Sequence, residues 1–324
     1  MKTRFLFPIL MLAAGCGGTP SGPAVQVRIP AGASLSSAAD SLTAHQLLAS
    51  PRYFRWYARL TGRADEIKAG VYDVRPGLSA PRLVSLLTTG RAALRRLVLP
   101  EGLMLNEVAT MVSQQLDVPG DQFHAAARQA RLVARMDPQA TSLEGYLYPS
   151  TYLVRHGASA AELVNQMLAE FDAHWHPEWN PRLDSLGMTR HQIVTLASII
   201  EGEVRYGPDR AYVSSVYTNR IRRRMRLQAD PTVIYALGKR RRLFEKDYLF
   251  RSPYNTYLID GLPPGPIGQP SEASLRAALY PAKSDFLFFV AQADGKHVFS
   301  RTLQEHVAAI RQIRAPRAPS PPPS

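Results

Sequence analysis

Along this chain, apolar residues form short runs and helical stripes, and Pro and Gly separate them. One unit occurs twice. "VRIPAGASLSSAADSL" and "LVLPEGLMLNEVATMV" share Ile/Leu-Pro-x-Gly-x-x-Leu-x-x-x-Ala, at Ile29 to Ala39 and Leu99 to Ala109. Each copy reads as a β-run stopped by a Pro-x-Gly turn and followed by a helix with apolar residues at helical spacing. Between the copies the pattern predicts a helix over Pro51 to Thr61, a strand in "AGVYDV" and a helix from Ala80 to Leu87. Residues 24–91 therefore read as a small α+β domain.

From Arg96 onward helical periodicity dominates. "DQFHAAARQARLVARM" and "SAAELVNQMLAEFDAHW" are amphipathic, and "LEGYLYPSTYLV" between them predicts an irregular wall lined by side chains. Thr189 to Gln192 fits a capping box, so a helix should start there and run through Glu203. "DFLFFVAQADGKHVFS" predicts a hairpin with Asp294-Gly295 at its turn. The fold class expected is α+β: a small N-terminal α/β module, then a mainly helical domain with a β-hairpin or small sheet. The boundaries drawn are 1–23 for a leader and linker, 24–92, 93–313, and 314–324 for a Pro-rich disordered tail.

Composition narrows the partners. The chain has 324 residues, is 45% hydrophobic and has a formal net charge of +13, so it can bury a substantial core and is drawn to polyanions. Nucleic acid, an anionic membrane surface and an acidic wall polymer all satisfy that charge. The start, "MKTRFLFPILMLAAGCGGTP", has Lys2 and Arg4 ahead of an apolar run from Phe5 to Ala14, the layout of an export signal. That run is about ten residues, against the ~20 needed to span a bilayer. "LAAGC" resembles a bacterial lipobox, with Ala13 where leucine is commoner, and makes Cys16 the candidate lipid-attachment residue. An ordinary cleaved signal and a short uncleaved anchor are the alternatives. All three put the folded part outside the cytoplasm and argue against nucleic acid. Cys16 is the chain's one cysteine, which excludes an intramolecular disulfide and a thiolate zinc site.

The chemistry centres on "LASIIEGEVRYGPDR", Leu196 to Arg210. Ile193, Val194, Leu196, Ala197, Ile199 and Ile200 occupy nearly every helical angle, the mark of a helix buried almost all round. Glu201 continues the stripe of Val194 and Ala197. A carboxylate so placed is either paired or raised in pKa by desolvation, and the second outcome makes a proton donor. Pairing to Arg205, or to an arginine of "NRIRRRMR", is the structural alternative. Glu203 points about 200° away around the helix, so the two acids cannot face one bond together.

Downstream, Gln228, Asp230 and Thr232 of "RLQADPTVIYALG" alternate with non-polar neighbours and could converge on a cleft, although Asp230 also reads as an N-cap. "SPYNTYLIDGLPPGPIGQP" brings Tyr254, Asn255, Thr256 and Tyr257 on a stiff loop expected to be exposed, which suits sugar contact. A rigid surface turn is the alternative. Arginines 220, 222, 223, 224 and 226 and "GKRRR" read first as a solvated face. Attraction to anionic lipid or to the carboxylates of an acidic wall polymer is the functional alternative. No HExxH or other convincing ligand set is present, and His174 and His176 are poorly spaced for shared ligation.

In their order along the chain, "LEGYLYPSTY", "LASIIEGEV", "RLQADPTVIYALG" and "SPYNTYLIDGLPPGPIGQPSEASLRAALYPAKSDFLFFVA" resemble the MltG/YceG-like endolytic murein transglycosylases, over roughly Val25 to Arg311. The repeated Pro-x-Gly unit fits the LysM-like module usual at that family's N-terminal side. The resemblance implies a cell-envelope lyase that cuts the MurNAc-β-1,4-GlcNAc bond inside nascent peptidoglycan strands, leaves 1,6-anhydroMurNAc ends and terminates strand elongation. It implies no cofactor and no metal. Glu201 takes the acid/base role by this resemblance. Supporting or substrate-binding places go to Glu203, Gln228, Asp230, Thr232, Tyr254, Asn255, Thr256, Tyr257 and Glu144. Gly202 stands where lysine is frequent, a change expected to loosen the helix end, and a lipoprotein-type leader replaces the usual transmembrane helix. The implied partners are glycan strands, the membrane through the N-terminal anchor, and peptidoglycan synthases, at the periplasmic face of the inner membrane. A muramidase using Glu201 with Asp230 and a non-catalytic peptidoglycan-binding scaffold remain as alternatives.

Overall fold

The computed structural model describes residues 22–30, 32–89 and 94–314. The export-like segment, Cys16 and the Pro-rich tail lie outside the described residues. Two compact units emerge: Met1–Arg96 with Leu153–Ala158, and Leu97–Tyr152 with Ser159–Ser324. Among the described residues no helix is long and apolar enough to cross a membrane.

The first unit contains β1 (Val25–Ile29), α1 (Leu35–Ala44), α2 (Pro51–Leu60), β2 (Gly70–Val74) and α3 (Ala80–Thr89). β1 and β2 pair antiparallel, with Val27 opposite Tyr72 and Val25 opposite Val74. Period-2 alternation sends Val27, Ile29, Tyr72 and Val74 into a core with Leu42 of α1, Phe54 and Ala58 of α2, and Leu83 and Leu87 of α3. The starts of α1 and α2 are specified locally. Ser34 accepts from the amide of Ser37 (3.2 Å), and Ser50 accepts from that of Tyr53 (3.3 Å) ahead of Pro51. Buried Tyr72 donates to the carbonyl of Lys68 (2.6 Å), so its hydroxyl is satisfied inside the core.

β3 (Leu94–Val98) and β4 (Thr151–Arg155) form a second two-stranded sheet, and the boundary between the units falls within both strands. The second unit continues with α4 (Leu105–Gln115), α5 (Gly120–Ala126), α6 (Ala130–Met136), α7 (Ala160–His174), α8 (Asn180–Leu186), α9 (Arg190–Glu203) and α10 (Arg210–Arg222). It closes with α11 (Asp230–Leu237), α12 (Glu272–Leu279), the hairpin β5 (Phe288–Ala291) with β6 (His297–Ser300), and α13 (Leu303–Arg314). Both copies of the repeat fold as strand, turn and helix. Their glycines, Gly32 and Gly102, hold φ of 72° and 73°, where a side chain would be strained. The helix expected over "DQFHAAARQARLVARM" is broken into α5 and α6. At the break the amides of Arg128 and Gln129 turn back to Ala125 and Ala126 (3.2 Å each), and the carbonyl of Ala127 accepts from Leu143 (3.1 Å).

α9 is the axis of this unit. Every residue from Ile193 to Ile200 is buried, so its polar side chains need partners indoors. His191 lies 2.9 Å from the carbonyl of Pro264 through Nε2 and 2.9 Å from the Tyr146 hydroxyl through Nδ1. A carbonyl can only accept, so Nε2 carries the proton and Nδ1 accepts from Tyr146. The Ser198 hydroxyl donates to Thr195 (2.7 Å) and accepts from the amide of Ile267 (3.0 Å).

Glu144 is a second buried acid, 5% exposed. It accepts from the amide of Leu105 (3.0 Å) and from Gln269 Nε2 (2.7 Å). Burial pushes its pKa up to about 8, well above the ordinary carboxylate range. A native-state pKa above the unfolded value means the native protein holds the proton more tightly. The stabilisation is therefore full at acid pH and is lost as pH rises towards and past 8. Thermal unfolding from pH 5 to pH 9 should show a falling Tm for the wild type and a flatter profile for the neutral isostere Glu144→Gln. Parallel profiles would refute the assignment.

Candidate active site

α9 ends at Glu203 and carries Glu201 one half-turn earlier. The two carboxylates have different surroundings. Glu201 Oε1 accepts from Arg210 Nη2 at 3.0 Å. Glu201 Oε2 accepts from the amide of Ser271 at 2.9 Å and also from the Ser271 hydroxyl. Its side chain is 7% exposed and that of Arg210 20%. Ser271 is the N-cap of α12, and Arg210 is the first residue of α10 and also holds Ser274 Oγ (3.1 Å). Glu201 thus ties α9 to the starts of two other helices. The greasy enclosure expected from the apolar stripe is instead a set of three donors. The cationic partner is Arg210, not Arg205 or an arginine of the "NRIRRRMR" run.

Glu203 sits where two adjoining clefts, of about 450 and 310 Å³, meet and share Glu203 and Ala291. The Tyr217 hydroxyl of α10 donates to its Oε1 at 2.9 Å, which leaves Oε2 as the oxygen able to carry a transferable proton. Burial pushes the Glu203 pKa up to about 7. The Tyr217 hydrogen bond opposes that rise, the negative charge of Asp230 adds to it, and Arg220 opposes it. A carboxylic acid poised near neutrality in a cleft can give and retake a proton.

The larger cleft also holds Gln228, Asp230 and Tyr257, three of the residues expected at the site. Gln228 takes the left-handed conformation (φ 51°), stabilised by its amide donating to the Thr256 carbonyl (3.1 Å). Asp230 is the first residue of α11 and not its N-cap, which is Ala229. Its oxygens accept from Tyr257 (2.6 Å) and Tyr248 (3.5 Å).

Five other expected contacts lie elsewhere. Thr232 and Thr256 are fully buried and bond to each other (2.9 Å), with Thr256 also accepting from the Ala229 amide (3.0 Å). Asn255 is fully buried and donates to the carbonyls of Tyr248 (3.0 Å) and Phe250 (2.8 Å). These side chains are spent on holding backbone in place, so the loop expected to be exposed is largely internal. Glu144 is enclosed near Leu105 and Gln269, as described above. Tyr254, half-buried, packs its ring at a tilt against Tyr235 with centroids 4.7 Å apart, and lines neither cleft.

Several cleft residues escaped the sequence reading. Tyr217 and Arg220 lie three apart on α10 and both face the cleft. Arg220, expected on a solvated face, is only 8% exposed. It donates to the carbonyls of Leu287 (2.7 Å) and Leu227 (2.7 Å) and lies over Phe288 at 5.1 Å. Arg222, Arg223 and Arg224 are exposed, as expected. Phe288 and Phe289 of β5 and His306 of α13 complete the larger cleft. Nδ1 of His306 is buried with no partner among the described residues. Tyr206 and His297 line the smaller cleft, and His297 is fixed by Asp209 (3.0 Å). The signal that could have found Tyr217 and Arg220 is a helix rich in polar residues that lies between two apolar elements.

Gly202 has a different role from the one expected. α9 remains helical through it. A Cβ there would approach Pro231 Cβ at 2.7 Å and Cγ at 2.9 Å, closer than real contacts allow. Only glycine lets the end of α9 pack against the start of α11 and bring Asp230 beside Glu203.

An α+β protein whose most buried helix delivers one proton-active carboxylate into a polar, aromatic-walled cleft belongs to the broad class of acid/base enzymes acting on polar substrates. The YceG-like family profile matches residues 27–312, and the chain belongs to that family. It is 30% identical over 298 residues to the endolytic murein transglycosylase of Bacillus subtilis (strain 168), covering 87% of this chain and 82% of that one. It is 29% identical over 318 residues to the endolytic murein transglycosylase of Streptococcus pneumoniae serotype 2 (strain D39 / NCTC 7466), covering 87% of this chain and 57% of that longer protein. A solved structure of a yceG-like protein from Listeria monocytogenes superposes with a TM-score of 0.62 at 34% identity, covering 89% of this chain and all of the other.

Replacing Gly202 by alanine should push α11 away from α9. The cost is about 1–3 kcal/mol of stability, read by urea unfolding, with activity reduced because Asp230 moves. A variant as stable and as active as the wild type would show that the contact is not tight.

Proposed function

We propose that the protein is an endolytic lytic transglycosylase of peptidoglycan, with Glu203 as its single acid/base. Glu203 supports this reading because it is a carboxylic acid that combines a cleft position with a pKa pushed up to about 7. The family relationship supplies the substrate class. Glu201, to which the resemblance gives this role, is held by Arg210 and Ser271. We give it the task of holding the end of α9 so that Glu203 meets the substrate.

In this mechanism the protonated Oε2 of Glu203 donates to the oxygen bridging MurNAc C1 and GlcNAc C4, and the C1–O bond breaks. The substrate's 2-acetamido group stabilises the positive charge developing at C1. The Glu203 carboxylate then takes the proton from the MurNAc 6-hydroxyl as O6 bonds to C1, which closes the 1,6-anhydro ring. One proton moves from O6 to the leaving oxygen, and no water is consumed. Two-carboxylate hydrolysis needs a second, free acid. Asp230 shares the cleft, but both of its oxygens are held by tyrosines, so we assign it to raising the Glu203 pKa. The N-terminal unit, read above as LysM-like over residues 24–92, would carry strand affinity, and Cys16 a lipid anchor at the envelope.

Glu203→Gln should abolish strand cleavage by the purified protein while leaving it folded. Mass spectrometry of wild-type products should show anhydro ends and no hydrated ends. Full activity in Glu203→Gln, or loss of activity confined to Glu201→Gln with the fold intact, would return the role to Glu201. Because the acid form starts the reaction, kcat/KM should fall as pH rises past about 7. Tyr217→Phe removes a hydrogen bond that favours the ionised form, so its alkaline limb should move to higher pH. Asp230→Asn removes a like charge, so its limb should move lower. Limbs that stay put in both variants would detach the profile from Glu203.

A further inference from the structure

α2 shows three stripes around its circumference. Phe54, Tyr57 and Ala58 form the inward side, with Phe54 and Ala58 fully buried. At about 100° per residue, Trp56, Leu60 and Tyr53 make a second stripe beside it, and Arg52, Arg59 and Arg55 a third beside that. The apolar outer stripe faces solvent: Trp56 is 56% exposed, Leu60 66% and Tyr53 43%. Tyr53 and Trp56 stack on each other at 5.8 Å, which presents a flat aromatic surface. Arg52, Arg55, Trp56, Arg59 and Leu60 together border an open trough. Arg55 lies 4.0 Å from Asp40 of α1, while Arg52 and Arg59 are exposed.

A monomer's surface rarely leaves Trp, Tyr and Leu together in water. Beside a row of arginines, such a stripe has the geometry of a helix lying in a lipid interface. Its aromatic and aliphatic groups enter the headgroup boundary, and the arginines meet phosphate. Charge points the same way. From Gly22 to Arg96 the sequence has eleven Lys or Arg and four Asp or Glu, which suits an anionic surface. The apolar run Phe5–Ala14 precedes this unit by a short linker in the sequence, so an anchor there would keep α2 within reach of the bilayer.

We propose that the outer face of α2 docks on the surface of a bilayer containing anionic phospholipid. This interaction is separate from any N-terminal anchor and independent of the activity proposed above. The chain's three tryptophans make it directly readable, because Trp175 and Trp179 are buried (8% and 2% exposed) and Trp56 is not.

The test mixes the full-length protein with vesicles of brominated phosphatidylcholine, with and without phosphatidylglycerol. Only the phosphatidylglycerol vesicles should quench and blue-shift tryptophan emission, and raised salt should reverse the effect. Trp56→Phe should remove the quenchable component. Joint replacement of Arg52 and Arg59 by Gln should lower the ratio of docked to undocked protein roughly thirtyfold, at about 1 kcal/mol per arginine. The proposal is overturned if Trp56 stays equally open to aqueous iodide with and without anionic vesicles, or if quenching survives Trp56→Phe. It is also overturned if soluble murein strands protect Trp56 and vesicles do not.

Discussion

The structure depends on how a helix buried on all sides reaches its end. α9 has no exposed face over Ile193–Ile200, so its orientation is set by what receives its last turn. The Glu201 carboxylate does this by accepting from Arg210 and Ser271 and so joining the starts of α10 and α12. Breaking a largely buried, hydrogen-bonded ion pair leaves an uncompensated charge, which costs about 3–5 kcal/mol. With that joint set, the roughly half-turn between Glu201 and Glu203 carries the second carboxylate to the opposite side, into the cleft.

The cleft wall is built mainly from backbone held by buried polar side chains. Arg220 fills the carbonyls of Leu227 and Leu287 and so joins the segment before α11 to β5. Thr256 and Thr232 pin Ala229, and Asn255 closes the turn after Tyr248. Unsatisfied carbonyls in such a place would each cost about 1–3 kcal/mol. The chain therefore uses residues that look like ligand contacts as scaffolding. This leaves Glu203 with one strong partner, Tyr217, and one like-charged neighbour, Asp230, the condition under which burial dominates its titration.

Legibility followed the range of the interactions involved. The capping box at Thr189, the hairpin around Asp294-Gly295 and the strand-turn-helix repeat are set by residues close in sequence, and all could be read directly. The chemistry-bearing helix was equally plain from its apolar surround. The sequence could not show which way each carboxylate turned, because the partner of Glu201 lies nine residues on and its other donor seventy residues on. The roles of Thr256 and Thr232 were hidden for the same reason, since their bonds close between segments 24 residues apart, whereas Asn255 bonds within its own loop to Tyr248 and Phe250. Tyr217 and Arg220 were missed because α10 has no clear apolar stripe. Its polar side chains are buried, and periodicity arguments assume that they are not.

Two clefts meeting at Glu203 give the site two mouths. A polymer can lie across such a junction without its terminus being located first. Every repeat along a strand is then an equivalent starting point, so affinity counted per strand grows with strand length while affinity counted per linkage does not. A dead-end pocket around the same carboxylate would reverse that relation, because capture would wait on the scarce chain ends.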